Sequence, residues 1–138
     1  MRVVIAGGIG AAGSYALQAA SAAGHEVVVV SRAVGVDARS GDGLAATLAG
    51  VDVVIDATNA GTTDEVLVTE FFVASTSNLM RLGKRAGVRH LVVLSIVGID
   101  GARRGYYAAK LAHERAALEG PLSASVARTT QFHESPPR

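Results

Sequence analysis

The segment Val3–Gly13 passes from a short apolar run straight into three glycines spaced three residues apart. The apolar run predicts a buried strand, and the alanine-rich stretch that follows predicts a helix. Gly7 can make the tight turn off the strand, Gly10 lets the backbone approach a ligand closely, and Gly13 lets the helix lie against the sheet. Free N–H groups and the positive end of the helix dipole then face an anion. The alternative is a strand-to-helix turn that packs tightly and binds nothing.

The favoured interpretation of this segment is a loop that binds the pyrophosphate of a dinucleotide, because a strand precedes the glycines, a helix follows them, and a second strand comes at the expected distance. The residues expected to contact the cofactor here are Gly7, Gly8, Ile9, Gly10, Ala11, Ala12 and Gly13.

Apolar β-branched runs alternate with helical stretches along the rest of the chain. We expect strands at residues 2–6, 26–31, 36–39, 51–57, 90–95 and 122–128, the third of them only weakly marked, and helices at 11–23, 44–49, 70–86 and 106–119. Residues 62–66 are either a loop or the start of a helix. Short connections between alternating strands and helices predict an α/β fold, a Rossmann-type doubly wound parallel sheet with helices on both faces.

The composition restricts the class of protein further. A chain of 138 residues fits one domain, expected over 1–132, followed by a flexible tail at 133–138. The net charge of +1 is scattered, which argues against nucleic acid or an anionic membrane surface as the main partner. With no cysteine and with four scattered histidines, we expect no disulfide and no metal site. No apolar run reaches the roughly 20 residues of a membrane span and a strand begins at once, so a cytoplasmic protein is expected.

Polar and glycine clusters fall at the predicted carboxyl ends of the strands, where doubly wound sheets bind ligands. At the end of the second strand, Ser31 and Arg32 stand where NAD-specific proteins carry an acidic residue. A guanidinium and a hydroxyl suit a 2′-phosphate, and charge-assisted hydrogen bonds of about 1.5–3 kcal/mol each would favour NADP(H), with NAD(H) as the weaker ligand. Asp42 is either an acceptor for the adenine amino group or a turn residue. The third rim cluster expected to contact the cofactor is Ala57, Thr58, Asn59 and Ala60.

Tyr106 and Lys110 stand four residues apart on a predicted helix, hence on one face. A tyrosine beside an ammonium group can act as a general acid or base toward a carbonyl, and the hydroxyl of Ser95 can hold the same oxygen. We therefore expect Ser95, Tyr106 and Lys110 to be catalytic, with Ser95 and Lys110 also contacting the cofactor. Tyr107 is expected to face the sheet. A surface tyrosine–lysine pair without chemistry is the alternative.

These residues together resemble the short-chain dehydrogenase/reductase superfamily and, within it, the atypical NmrA-like NAD(P)-binding branch. The loop Gly7–Gly13 is similar to the family's GGTGxxG motif with Ile9 in place of threonine, and Tyr106–Ala112 resembles its later signature. The segment Val126–Phe132 is similar to the strand end that approaches nicotinamide and substrate in relatives. The resemblance implies a Rossmann fold and hydride transfer between nicotinamide and a carbonyl or quinone-like acceptor. In that reaction Tyr106 would donate the proton and Lys110 would lower its pKa.

Two other functions stay open. Members of this branch can serve as non-catalytic NAD(P)H sensors, and the same residues serve nucleotide-sugar epimerases and dehydratases. Family members continue well past the equivalent of Phe132, so we expect a cofactor platform with little of a substrate lobe. Uncovered apolar helix and edge surface would favour a homo-oligomer. The small-molecule substrate is not identified by the sequence.

Overall fold

Strands and helices alternate strictly in the computed structural model, which describes residues 1–7, 11–31, 35–58, 64–96 and 105–129. Within those ranges the strands are β1 (Arg2–Ala6), β2 (Glu26–Val30), β3 (Val53–Asp56), β4 (His90–Ile96) and β5 (Ala124–Thr129). The helices are α1 (Ala11–Ala22), α2 (Leu44–Leu48), α3 (Glu65–Ala86) and α4 (Gly105–Leu118). None of these helices combines the length and apolarity that crossing a bilayer requires.

The strands form one parallel sheet in the order β2-β1-β3-β4-β5. β1 is flanked by β2 on one side and by β3 on the other, and Ala6 is in register with both Val30 and Asp56. Right-handed crossovers therefore place α1 on one face of the sheet and α2, α3 and α4 on the other. This confirms the predicted doubly wound α/β fold, and it puts the topological switch point between the carboxyl ends of β1 and β3.

The main core lies between the sheet and the helices α2 and α3 that cover one of its faces. The strand residues Val54, Leu91 and Val93 are fully buried and pack in one cluster with residues of these two helices, such as Leu48 and Leu79. Their sequence neighbours on β3 and β4 are only half-buried, because successive side chains of a strand point to opposite faces.

The weakly marked strand at 36–39 was a wrong prediction. The chain turns there instead, because Asp37 exchanges backbone hydrogen bonds within the turn, accepting from Gly41 N at 2.7 Å and donating to Asp42 O at 3.0 Å. Asn78 of α3 donates to the carbonyls of Ala38 and Arg39. These contacts fix the two carbonyls in the turn, and the described sheet has five strands, with the strand predicted sixth as β5.

Helix α3 begins at Glu65, five residues before the helix predicted at 70–86 and within the segment expected to be a loop or a helix start. Asp64 is its N-cap and accepts a hydrogen bond from Leu67 N at 3.0 Å, which satisfies one of the otherwise unpaired N–H groups of the first turn. The first turn exposes Val66 and Leu67 to solvent and buries Val68, so its apolar residues do not mark a single helix face.

Candidate functional site

The switch point is closed by a glycine that no other residue could replace without strain. Gly7 follows β1 with φ of 80°, and a Cβ built on it would lie 2.7 Å from Ala57 O and 2.9 Å from Thr58 Cα. Its N–H donates to Val30 O at 2.9 Å. The predicted tight turn is thus present, and it brings Gly7, Ala57 and Thr58 together at the carboxyl ends of β1 and β3. The helix residue Gly13 is buried in α1.

The residue after β2 carries a buried hydroxyl. Ser31 Oγ is shielded from solvent and has no hydrogen bond with any of the residues that the structure describes. A buried donor or acceptor left unpaired costs about 1–3 kcal/mol, so a ligand group that hydrogen-bonds here would be favoured. Asp42, the candidate adenine acceptor, is exposed in the turn that Asn78 holds against α3.

Several predicted cofactor contacts lie outside the described residues. These are Gly8, Ile9, Gly10, Arg32, Asn59 and Ala60. The flexible tail predicted at 133–138 also lies outside the described residues. Ala11 and Ala12 form the first turn of α1. The roles predicted for all of these residues stay predictions.

A chain of polar side chains that the sequence reasoning missed runs beneath the carboxyl ends of β3 and β4. We call Thr58, Asp56, His113 and Lys110 the Asp56 network. Thr58 Oγ1 donates to Asp56 Oδ1 at 2.6 Å, Asp56 Oδ2 lies 2.8 Å from His113 Nε2, and His113 Nδ1 lies 3.1 Å from Lys110 Nζ. Lys110 Nζ also donates to Leu94 O at 2.9 Å. The network thus joins the end of β3 to α4.

The Asp56 network is almost completely dry. Asp56 and His113 are fully buried, and Lys110 is 4% exposed. Phe72 of α3 covers the group: its ring stacks on the His113 imidazole with centroids 4.3 Å apart, and Lys110 Nζ lies 4.7 Å from its centroid. An aromatic face attracts a cation, so Phe72 excludes water without repelling the ammonium.

Burial and charge act in opposite directions on the two charged ends of the network. Desolvation raises the pKa of Asp56, but its electrostatic attraction to His113, the hydrogen bond from His113 and two hydrogen bonds from Thr58 outweigh it and lower that pKa to about 2. Desolvation lowers the pKa of Lys110, and the carboxylates of Asp56 and Glu114 only partly offset this. Asp56 is therefore a carboxylate at neutral pH, and Lys110 is more easily deprotonated than an exposed lysine.

Tyr106 lies one turn before Lys110 on α4 and is half-buried, with its ring edge-on to Phe72 at 6.2 Å. Desolvation raises the pKa of Tyr106, and neighbouring Tyr107 raises it further. This is opposite to the predicted lowering by Lys110, whose ammonium is held against Leu94 O and His113. Tyr107 is 41% exposed, so the expectation that it faces the sheet was wrong.

Ser95 is 3% exposed near the end of β4, and its hydroxyl hydrogen-bonds to the carboxylate of Glu114. Desolvation raises the pKa of Glu114, but the bonds from Arg128 and Ser95 and the charges of Arg128 and Lys110 make the net shift a lowering. Arg128 of β5 donates to both carboxylate oxygens of Glu114, at 3.0 and 2.6 Å. The role predicted for Ser95, orienting a carbonyl, stays a prediction.

A sequence signal for the network existed. His113 follows Lys110 by three residues and Tyr106 by seven, so all three share one helix face. Asp56 ends an apolar strand, and a carboxylate buried there needs a hydrogen-bond donor or a positive charge beside it. Among the described residues, no group of three or more His, Cys, Asp or Glu side chains is arranged to hold a metal ion.

Solved structures resemble this fold over nearly all of the chain. MoeE5 in complex with UDP-glucose and NAD is 25% identical with a TM-score of 0.73, and the alignment covers 96% of this chain and 55% of that one. The UDP-N-acetylglucosamine 4-epimerase from Bacillus cereus is 18% identical with a TM-score of 0.77, covering 93% and 58%. A short-chain dehydrogenase/reductase superfamily protein from Agrobacterium tumefaciens with bound NAD is 17% identical with a TM-score of 0.73, covering 93% and 48%.

These similarities support the Rossmann-type fold, and the chain spans about half the length of the structures it resembles. Neither a protein-family profile nor a curated protein sequence matches the chain.

Proposed function

We propose that this chain is the nicotinamide-dinucleotide-binding domain of an oxidoreductase of the short-chain dehydrogenase/reductase type. The observation that carries the proposal is the Gly7 turn, which closes on Ala57 and Thr58 at the switch point of the sheet. Doubly wound sheets bind their ligands at this point. MoeE5 and the Agrobacterium protein, which share the fold, contain NAD.

The described residues fit such a cofactor in two respects. The space where a Cβ of residue 7 would lie is taken up by the backbone of Ala57 and Thr58, so only a glycine allows this tight turn at the switch point. The shielded hydroxyl of Ser31 lies at the end of the neighbouring strand and lacks a partner among the described residues. Gly7, Ser31, Thr58 and the start of α1 would hold the dinucleotide.

When bound, a nicotinamide dinucleotide supplies the hydride chemistry, and this chain supplies the proton and the electrostatics. Tyr106 is protonated at neutral pH, as a tyrosine ordinarily is, and would donate that proton to a carbonyl oxygen. Lys110 places a positive charge at the end of β4, where it would contact the ribose. Ser95 would orient the carbonyl, as predicted from the sequence.

The preference for NADP(H) is a finer part of the proposal that depends on Arg32. The similar structures carry NAD, whereas a guanidinium after β2 favours a 2′-phosphate. Assignment to the NmrA-like branch likewise depends on the sequence resemblance. Replacing Arg32 by aspartate should reverse the cofactor preference, and an unchanged ratio of NADPH to NADH affinity would exclude the role of Arg32.

The first experiment is a fluorescence titration of the purified chain with NADPH and, separately, with NADH. Saturable binding of either cofactor supports the proposal, and NADPH binding tighter by about tenfold or more supports the contact with Arg32. A Gly7→Ala variant is the matched negative control, because it adds one methyl group at the turn and should weaken binding. Absence of saturable binding to the folded chain would exclude the proposed function.

Catalysis is tested separately from binding by Tyr106→Phe. The substitution removes one hydroxyl and keeps the ring against Phe72, so cofactor affinity should stay close to that of the unaltered chain while carbonyl reduction is lost. Tyr107→Phe is the control, because it removes the same group from the exposed neighbour. Reduction that persists in Tyr106→Phe would exclude Tyr106 as the proton donor, and cofactor binding without reduction of any carbonyl or quinone would favour a sensor.

A second candidate function is nucleotide-sugar epimerisation or dehydration. It is favoured by the similar structures, one of which is a UDP-N-acetylglucosamine 4-epimerase and another of which contains UDP-glucose. Incubation of the NAD-loaded chain with UDP-glucose, followed by NMR of the sugar, would distinguish the two candidates. Inversion or loss of water at the sugar supports the second candidate, and reduction of an added carbonyl compound by the chain loaded with NADH or NADPH supports the first.

A further inference from the structure

The Asp56 network fixes the proton positions of His113 from both ends. Asp56 is an ionised carboxylate, which can only accept, so His113 Nε2 must carry the proton in their 2.8 Å contact. A charged Lys110 can only donate, so His113 Nδ1 must be free of a proton in their 3.1 Å contact. One neutral tautomer of the imidazole satisfies both neighbours. Protonation of Nδ1 would turn that contact into a repulsion.

We propose that Asp56 and His113 are positioning residues for Lys110: the carboxylate fixes the imidazole, and the imidazole fixes the ammonium group at the carboxyl end of β4. The inference rests on the proposed function, in which Lys110 contacts the dinucleotide. Two acceptors, Leu94 O at 2.9 Å and His113 Nδ1, then set the direction of the Lys110 side chain. The negative charge of Asp56 balances the buried positive charge across the imidazole.

The groups around Lys110 explain why Asp56 matters most for its charge. Of the described residues that face it, β3 contributes the Asp56 carboxylate, and α4 contributes His113, Tyr106 and Glu114. Helix α3 contributes the uncharged ring of Phe72, and β4 contributes the carbonyl of Leu94 and, through Glu114, the hydroxyl of Ser95. Glu114 is already paired with Arg128 of β5, so its charge is largely neutralised. Asp56 is the carboxylate that stabilises the ammonium.

The arrangement is tested first in the free protein, without any cofactor. Side-chain ¹⁵N NMR of His113 reports which ring nitrogen carries the proton. A proton on Nε2 alone at neutral pH supports the inference. A proton on Nδ1, or on both nitrogens, would overturn it, because His113 could not then accept a hydrogen bond from a charged Lys110.

The functional consequence is tested by the pH dependence of dinucleotide binding. Affinity should fall as Lys110 loses its proton, and in Asp56→Asn this fall should move to lower pH by about one unit or more, because an opposite charge that favours the ammonium is removed. Asp52→Asn makes the same change at the other end of β3 and should leave the profile unaltered. A profile of Asp56→Asn that superimposes on that of the unaltered chain would overturn the inference.

Two variants of His113 separate positioning from mere support. In His113→Asn the new side-chain amide reaches the place of Nδ1 and keeps an acceptor for Lys110, whereas in His113→Gln it reaches the place of Nε2 and keeps a donor for Asp56. We therefore expect the two variants to rank in opposite order in two measurements. His113→Gln, without the acceptor for Lys110, should bind dinucleotide about tenfold more weakly than His113→Asn. His113→Asn, without the donor for Asp56, should be the less stable of the two in urea. The same order in both measurements would mean that His113 only supports the fold.

These readouts separate the inference from the proposed function. If the folded chain binds no dinucleotide, the proposed function fails and with it the role of Lys110 toward a cofactor. If the chain binds dinucleotide but the profile and the order of the His113 variants do not respond as described, the proposed function stands and the inference fails.

Discussion

The two ends of β3 carry the same acidic side chain in opposite settings. Asp52, just before the strand, bonds to Arg89 at 3.0 Å and to the backbone N–H of Arg2, and its side chain is 33% exposed. Asp56, the last residue of the strand, is fully buried and bonds to His113 and Thr58. The carboxylate at the amino end of β3 is paired in water, whereas the hydrogen-bonded carboxylate at its carboxyl end is shielded from water.

This difference shows that the carboxyl edge is not organised for stability alone. An exposed pair such as Asp52–Arg89 requires little desolvation. Burying a carboxylate, an imidazole and an ammonium together is costly, and apolar side chains of similar volume often stabilise a fold equally well. Stability alone therefore does not account for the Asp56 network, and the proposed positioning of Lys110 would give it a function.

The largest effect is expected when the buried carboxylate is removed. Asp56→Ala leaves the imidazole and ammonium buried without their counter-charge and should lower the free energy of unfolding by about 3–5 kcal/mol. Urea unfolding followed by circular dichroism measures this change. A loss comparable to that of Asp52→Ala, determined in parallel, would mean that the two ends of β3 are energetically alike.

Adding a methyl group at the carboxyl edge of the sheet should also lower the free energy of unfolding more than adding one at the amino edge. Gly7→Ala combines a left-handed backbone with a Cβ 2.7 Å from Ala57 O, and we expect a loss of at least about 2 kcal/mol. Gly87, which ends α3 before β4, has a φ of 86° but nothing within 4 Å of the added Cβ. Gly87→Ala should therefore cost only the backbone strain, about 1 kcal/mol. Thermal or urea unfolding of both variants checks the order.

Acid should weaken the carboxyl edge in a defined range. The pKa of Asp56 is about 2 in the folded chain against 3.8 for a free side chain, so its contribution of about 2 kcal/mol is present above pH 3.8 and is lost as the pH falls toward 2. Urea midpoints measured between pH 5 and pH 2 should fall less steeply in Asp56→Asn. Equal slopes in the variant and the unaltered chain would contradict the lowered pKa of Asp56.

The smallest effect is expected at the exposed end of β3. Asp52→Asn keeps an acceptor for Arg2 N–H and loses one ion pair whose Arg89 side chain is 69% exposed. The urea midpoint at low salt should change little, and the difference should disappear at high salt because exposed pairs are screened. A large and salt-independent loss would mean that the amino edge contributes more than its exposure suggests.

The elements of this fold followed from the sequence where pattern and packing agree. Periodicity located the five described strands to within about two residues at each end, because β-branched runs coincide with the sheet. It failed at residues 36–39, where Asn78, some forty residues away, fixes the turn. It also placed the main part of α3 from residue 70 onward, because the exposed Val66 and Leu67 beside the buried Val68 do not mark one face of a helix.

The candidate site was accessible to sequence reasoning only in part. Gly7, Tyr106 and Lys110 stand at spacings that carry a physical meaning on their own. The pairing of Asp56 with His113 does not, because the two residues are 57 positions apart and meet only when α4 lies across the end of β3. The direction of the pKa of Tyr106 could not be foreseen either, since it depends on burial against Phe72 and on which way Lys110 points.

The contact of Asn78 with the turn after β2 also restricts how this chain can vary. Surface loops ordinarily accept inserted residues, because lengthening them costs little entropy. This turn is tied through Ala38 O and Arg39 O to the middle of a 22-residue helix, so an insertion would have to break both hydrogen bonds or shift the helix. If this turn were moved into another protein, it would retain its shape only with an amide at the position of Asn78. The length of the turn is therefore determined by α3 as much as by the turn itself.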